Sequence, residues 1–256
     1  SRTHRVSAVR DALCFLTALP FGAPQGPPAA ASVRWFPVVG LVIGAAWALC
    51  YVFVSRFFGP LVAAACVLVV DALITGALHL DAVADVADGV ASRRPPDEAI
   101  AIMREPSVGA IGAAVLVLTC VLRFSALERA GAQAIALVAA PVAGRAAMAL
   151  LLALVEPRQD GSLAAAFFPA SPRMKGRATV TALAAAVVCV LPPVVFGRDP
   201  MPVVGLAVAL AGAAGYAWWW RARFGPLTGD GVGAGGIFAE TLALIALGIG
   251  AQPRVV

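Results

Sequence analysis

Read for its apolar runs, the chain falls into seven long hydrophobic stretches, near 35–54, 59–80, 108–127, 131–155, 178–197, 202–219 and 234–250. Each is about 17–25 residues, the length an α-helix needs to cross the hydrocarbon core of a bilayer. A shorter run, VSAVRDALCFLTAL at 6–19, is amphipathic, ends at Pro20 and is too short to span, which predicts an interfacial or re-entrant helix. The segment FGAPQGPPAAAS after it reads as a loop, and Pro192-Pro193 should break the fifth stretch. Trp35-Phe36 and Trp218-Trp219-Trp220 stand at stretch ends, where aromatic belts form. The predicted fold is all-α: one membrane-embedded domain over residues 1–256, a polytopic bundle of about seven transmembrane helices behind the N-terminal amphipathic or re-entrant helix.

Composition agrees with the pattern. The chain is 61% hydrophobic and 13% charged, with a mean hydropathy of +0.90, whereas soluble domains carry about 25% charged residues. Loop charge then sets orientation. With the N-terminus in the cytoplasm, 13 Arg and Lys residues fall in cytoplasmic loops and 4 (Arg56, Arg129, Arg198, Arg254) in the opposite ones, the sense of the positive-inside rule. The net charge of +5 reads as loop charge facing an anionic membrane surface and anionic substrates. Basic residues are not interleaved with stacking aromatics, which argues against a nucleic-acid partner. The five cysteines sit singly in apolar runs and read as small buried hydrophobes, not as disulfides or zinc ligands. The polar opening SRTHRVSAVRD does not read as a cleavable signal peptide.

The same orientation puts the loops 81–107, 156–177 and 221–233 on one face, where function is expected. At its edge lies LHLDAVADVADG (78–89), with Asp81, Asp85 and Asp88 at i, i+4 and i+7. On a helix these fall in a stripe of roughly 60°. Three carboxylates on one stripe repel each other, and acids beside an anionic leaflet are unfavourable unless a cation compensates; the chemistry points to a divalent metal ion with a phosphorylated ligand. His79 lies opposite the stripe and reads equally as a packing hydrogen-bonder or a substrate contact. The second candidate is IMREPSVGAIG (102–112), where Arg104, Glu105 and Ser107 precede glycines at a helix start, an arrangement open to phosphate. Arg145 lies inside the fourth stretch and needs a polar partner there; Asp71 and Arg123 are similarly costly and could pair with it. Finally, GPLTGDGVGAGGIFAE (225–240) joins a glycine-rich turn to Asp230 and places Glu240 at membrane depth, facing the protein interior. Those glycines suit a phosphate cradle or a tight re-entry into the membrane.

The motifs FLTALP (15–20), WFPVVGLVIG (35–44), TGALHLDAVADVADG (75–89), IMREPSVGAIG (102–112) and TGDGVGA (228–234), in this order and spacing, resemble those of the cobalamin synthase family, the adenosylcobinamide-GDP ribazoletransferases. The resemblance runs from residue 15 to about 240. It implies the last assembly step of cobalamin at a bacterial inner membrane, with the active site facing the cytoplasm. The expected substrates are adenosylcobinamide-GDP and α-ribazole or its 5′-phosphate, with release of GMP and a requirement for Mg²⁺. By the same resemblance Asp81, Asp85 and Asp88 hold the metal at the substrate pyrophosphate, and Asp230 is a further metal or nucleotide ligand. Arg104 and Arg145 are candidates for the remaining phosphate charge. A carboxylate free of metal or His79 would serve as base for the incoming ribose hydroxyl. The chain departs from the family pattern at Ala82, at Glu105-Pro106 and at Ile237.

Two other readings compete: a phospholipid enzyme resembling the CDP-alcohol phosphotransferases, whose full DG-AR-G-D-D pattern is not found here, and a transporter with Asp71, Arg145 and Glu240 along a path. A transporter predicts internal symmetry and midplane polar groups, whereas an enzyme predicts acids gathered at one interface. Membrane lipids are expected partners, and a homo-oligomer is left open.

Overall fold

The computed structural model describes residues 2–20, 30–158, 172–197 and 199–250. Most of the expected 21–32 loop, the middle of the 156–177 loop, Arg198 and Arg254 lie outside the described residues. The chain forms helices α1 (Arg2–Leu16), α2 (Phe36–Thr75), α3 (Leu78–Ala91), α4 (Pro96–Ile102), α5 (Ala110–Ala130), α6 (Ala139–Leu154), α7 (Pro172–Gly197), α8 (Met201–Arg223) and α9 (Gly229–Gly250), with 3-10 turns at Ala30–Trp35 and Gly131–Val138. Among the described residues four helical runs are long and apolar enough to cross a membrane: Ala31–Thr75, Ala110–Ala130, Met201–Arg223 and Gly229–Ile249. Ala139–Leu154 and Thr179–Leu191 are shorter apolar helices. The protein is an all-α, membrane-embedded bundle.

The first two expected stretches form one helical run, α2, and the run folds back on itself. Gly59 (φ 82°, ψ 172°) interrupts it just before Pro60, and only glycine adopts that conformation readily. In a straight helix Trp47 and Asp71 would lie about 36 Å apart. Instead one guanidinium reaches both: Arg123 is 5.5 Å from the Trp47 ring centroid and 3.3 Å from the Asp71 carboxylate. The two ends agree, because Phe15 stacks on Phe36 while the Ala18 amide donates to the Ile74 carbonyl at 2.7 Å. Residues 36–58 and 60–75 are thus two arms of a hairpin.

Other boundaries shift for local reasons. The second stretch ends at Thr75, where Gly76 (φ 63°) closes α2 in the left-handed conformation and Ala77 (φ 55°) starts α3 in a new direction. His79 therefore belongs to a separate helix and not to the span expected over 59–80. The fourth stretch divides into a 3-10 turn, broken at Gln133, and α6. Pro192-Pro193 does not stop α7, whose backbone stays helical to Gly197.

Small residues bring the central helices together. Gly40 and Gly44 of α2 lie against the backbone of residues 138–142, and Gly236 of α9 lies against Met148 of α6, the close approach that drives helix association in lipid. The apolar window of α9 is 78% buried, against 22% for that of α5, so α9 runs through the middle and α5 along the outside. Leu49, Phe53, Leu73, Leu118, Val188 and Trp218 are more than half exposed, as a lipid-facing belt requires.

Candidate active site

Loops that the sequence assigned to one face meet there. Arg158 Nη2 donates to Asp97 at 2.7 Å, Arg223 Nη2 to the Arg94 carbonyl at 2.9 Å, and the Leu227 amide to the Glu156 carbonyl at 2.7 Å. At the opposite end Arg129 Nε donates to the Gly248 carbonyl, and Tyr51 to that of Glu128.

The acidic stretch forms α3 at the first of these ends. Asp81 is exposed, and Asp85 and Asp88 are half-buried. Asp230 joins them from α9. Thr228 caps that helix by accepting the Gly231 amide at 3.1 Å, which fixes Asp230 in the first turn. One turn further, Gly233 packs against Ala82 and His79 of α3, bringing Asp230 beside the stripe. The charges feel one another. Burial, then Asp81, Asp230 and Asp88 in that order, push the Asp85 carboxyl up to about 6, as expected for like charges sharing a site. Arg104 lies within electrostatic reach of Asp230, while Arg104, Glu105 and Ser107 are all exposed on the loop between α4 and α5.

Asp88 differs from the other two members of the stripe. Its Oδ2 accepts the Gly109 amide and its Oδ1 the Gly112 amide, both at 2.7 Å. The glycines expected to cradle phosphate at the start of α5 are turned, in this structure, toward a carboxylate of the protein itself. A methyl group at either glycine would collide with that carboxylate. The two sequence motifs are therefore parts of one assembly. The three-residue spacing of the glycines was visible in the sequence; their partner was not.

His79 lies on the far side of α3 from the stripe, 4% exposed, with Nδ1 lacking a hydrogen-bond partner among the described residues. Burial, followed by the Arg145 and Arg123 charges, pushes its imidazole down to about 3, so the ring is neutral. Arg145 and Glu240 are placed in the bundle core. Glu240, fully buried, pairs with Arg145 and accepts from Arg123 Nη2 at 2.7 Å, and Arg123 also reaches Asp71. Two acids and two arginines thus balance at membrane depth, which extends the pairing the sequence suggested for Asp71, Arg123 and Arg145.

Among the described residues no three His, Cys, Asp or Glu side chains converge closely enough to hold a metal ion alone. The donor set suits Mg²⁺ nonetheless, because that ion is commonly held by one or two carboxylates together with substrate phosphates. Behind α3, on the side away from the acids, Val83, Val86, Tyr216, Trp219, Ile237 and Phe238 help to line an apolar cavity of about 580 Å³. Ile237, one of the departures from the family pattern, is part of that wall.

Comparison with known proteins adds the chemistry's context. The family model CobS, cobalamin-5-phosphate synthase, matches residues 8–248. An adenosylcobinamide-GDP ribazoletransferase of Ectopseudomonas mendocina is 36% identical over 256 residues, covering 94% of this chain and 98% of that protein. One from Roseiflexus sp. is 33% identical over 254 residues, covering 96% and 91%. One from Bradyrhizobium diazoefficiens is 40% identical over 172 residues, covering 64% and 66%. No solved structure matches.

Proposed function

The chain belongs to the cobalamin-5-phosphate synthase family and is a transferase acting on a phosphorus-containing group, and from that membership we propose that it joins adenosylcobinamide-GDP to α-ribazole or its 5′-phosphate, releasing GMP in a Mg²⁺-dependent reaction. The observation that carries this reading is the gathering of Asp81, Asp85 and Asp230 at one end of the bundle, coupled to one another and within reach of the exposed Arg104 loop.

In the proposed reaction a ribazole hydroxyl attacks the phosphorus on the corrinoid side of the pyrophosphate, and the bond from that phosphorus to the GMP oxygen breaks. Such transfers depend mainly on position and charge neutralisation. Asp81, Asp85 and Asp230 would hold Mg²⁺, which when bound neutralises charge on the phosphates and on the departing GMP. Arg104 lies where it can meet the remaining phosphate charge. Glu105 and Ser107 border the same entrance. A carboxylate of this group takes the hydroxyl proton. His79 is the weaker candidate, since its ring is buried against Gly233 behind α3. Arg145 and Glu240, enclosed in the core, serve this site by holding α6 and α9 in register. We place the acid end in the cytoplasm from the loop-charge bias, in a bacterial inner membrane crossed about seven times if both arms of α2 span.

The test is purified protein in lipid nanodiscs, given the GDP-activated corrinoid and α-ribazole with and without Mg²⁺. GMP should appear only with both substrates and the metal. GMP release indifferent to Mg²⁺ removes the metal reading, and no release under any condition removes the reaction.

A further inference from the structure

Asp88 is the member of the acid stripe whose carboxylate is already engaged. Both oxygens accept backbone amides, from Gly109 and Gly112, at 2.7 Å. Gly109 is the N-cap of α5, whose start has no capping side chain of its own. A helix start leaves several amides unpaired and carries partial positive charge. Asp88 supplies the missing acceptor from another helix, with the charge that the helix end favours.

The neighbouring residue completes the contact. Gly89 packs directly against Met103 and the Ala99 carbonyl, and Met103 is 2% exposed. Two successive residues of α3 therefore hold both ends of the 103–109 loop, Gly89 at Met103 and Asp88 at Gly109. Between those anchors residues 104–108 are exposed, and the Arg104 and Glu105 amides donate to the Ala101 and Ile102 carbonyls of α4. The glycines leave the space that this arrangement needs: a side chain at 109 or 112 would occupy the position of the carboxylate, and one at 89 that of the Met103 side chain.

We propose that Asp88 is a positioning residue: its carboxylate clasps the start of α5 to α3 and so holds the Arg104 loop over Asp81, Asp85 and Asp230, which are left as the carboxylates for the cation. This replaces the metal-ligand role that the family resemblance implied for Asp88. It rests on the reading of the acid end as a Mg²⁺ site. Among the described residues the Asp81 and Asp85 carboxylates accept no hydrogen bond comparable to the two that engage Asp88, so the division within the stripe follows from its surroundings and not from its spacing.

The experiment uses the full chain in nanodiscs, with Mn²⁺ as the metal probe followed by its electron-spin resonance signal and amide exchange followed by mass spectrometry. Asp88→Asn should speed exchange at Gly109–Gly112 by at least about tenfold while lowering Mn²⁺ affinity by less than about threefold. Asp85→Asn should lower that affinity by more than about tenfold and leave the exchange alone. Turnover should show the coupling: Arg104→Ala reproduces much of the Asp88→Asn loss, and the double variant loses less than the product of the two single losses. Equal loss of Mn²⁺ affinity in Asp88→Asn and Asp85→Asn overturns the proposal, as do unchanged exchange in Asp88→Asn or independent losses in the double variant. Should Asp88→Asn not accumulate, the wild-type protein decides: saturating Mg²⁺ should leave exchange at Gly109–Gly112 unchanged, and faster exchange would show the carboxylate leaving α5 for the metal. If the wild type binds no Mn²⁺, the metal reading fails separately, and exchange measured without metal still decides the clasp.

Discussion

Two acidic groups in this protein are built from the same residue types and treated in opposite ways. In the core, Asp71 and Glu240 face Arg123 and Arg145, all four buried and joined by ion pairs. At the end of the bundle, Asp81, Asp85 and Asp230 lie close enough that Asp81 raises the proton affinity of the other two, beside an Asp88 already held by two amides. The first group is balanced because ionised side chains at membrane depth are costly unless they pair with one another. The second keeps an excess of negative charge, which is tolerable at a wet surface and useful where a cation and phosphates are to be received. Balance marks a group that holds the fold together. Imbalance marks a group that works on something outside it.

The largest effect that would break this contrast lies in the core. Glu240→Gln leaves two buried arginines with Asp71 alone, and removing one partner from a buried ionic group costs about 3–5 kcal/mol. Thermal unfolding in nanodiscs should show a large drop in Tm; an unchanged Tm would mean that the core charges are not holding the bundle. At the acid end the consequence is reversed. Asp85→Asn should cut turnover by about tenfold to a hundredfold while Tm stays or rises. The sign follows from the raised proton affinity of Asp85: its carboxyl sits at about 6, above the ordinary value, so at neutral pH its charge costs the folded state stability, and the neutral amide removes that cost. A fall in Tm with turnover preserved would place Asp85 in the first group instead.

Smaller effects sharpen the boundary between the two regions. Gly233 lies against Ala82 and His79, so Gly233→Ala should push α9 from α3 and cost about 1–3 kcal/mol, with a loss of turnover as Asp230 moves relative to Asp85. Stability loss without any change in turnover would show that the spacing of the two helices is not critical to the site. The exposed pair of Arg158 and Asp97, in which the Asp97 side chain is 83% exposed, should matter least: Asp97→Asn changes stability by less than about 1 kcal/mol, read as a near-constant Tm.

Much of this contrast is legible in the sequence. Apolar run lengths identified the membrane bundle, and the i, i+4, i+7 spacing put three acids on one face of a helix. Arg145 and Glu240 announced a buried polar interior because ionisable residues at membrane depth require partners. What could not be read was pairing across the chain. Nothing local to Glu240 says that it takes both Arg123, 117 residues away, and Arg145, 95 residues away. Nothing local to Asp88 distinguishes it from Asp85; only the approach of Gly109 and Gly112 does. The turn between the first two stretches was legible and falls at Gly59; the break at Gly76-Ala77 is a backbone event inside an expected span, and an apolar pattern passes through it without a visible change in period.

The central claim is that the unbalanced acids at the bundle end serve phosphoryl transfer. Its most direct test is GMP release by wild type and by Asp85→Asn, both in nanodiscs, across a Mg²⁺ titration with the GDP-activated corrinoid and α-ribazole present. The wild type should release GMP only with Mg²⁺, and Asp85→Asn at most at about a tenth of that rate with a higher Mg²⁺ requirement. Release by Asp85→Asn at the wild-type rate and the wild-type Mg²⁺ midpoint would contradict it.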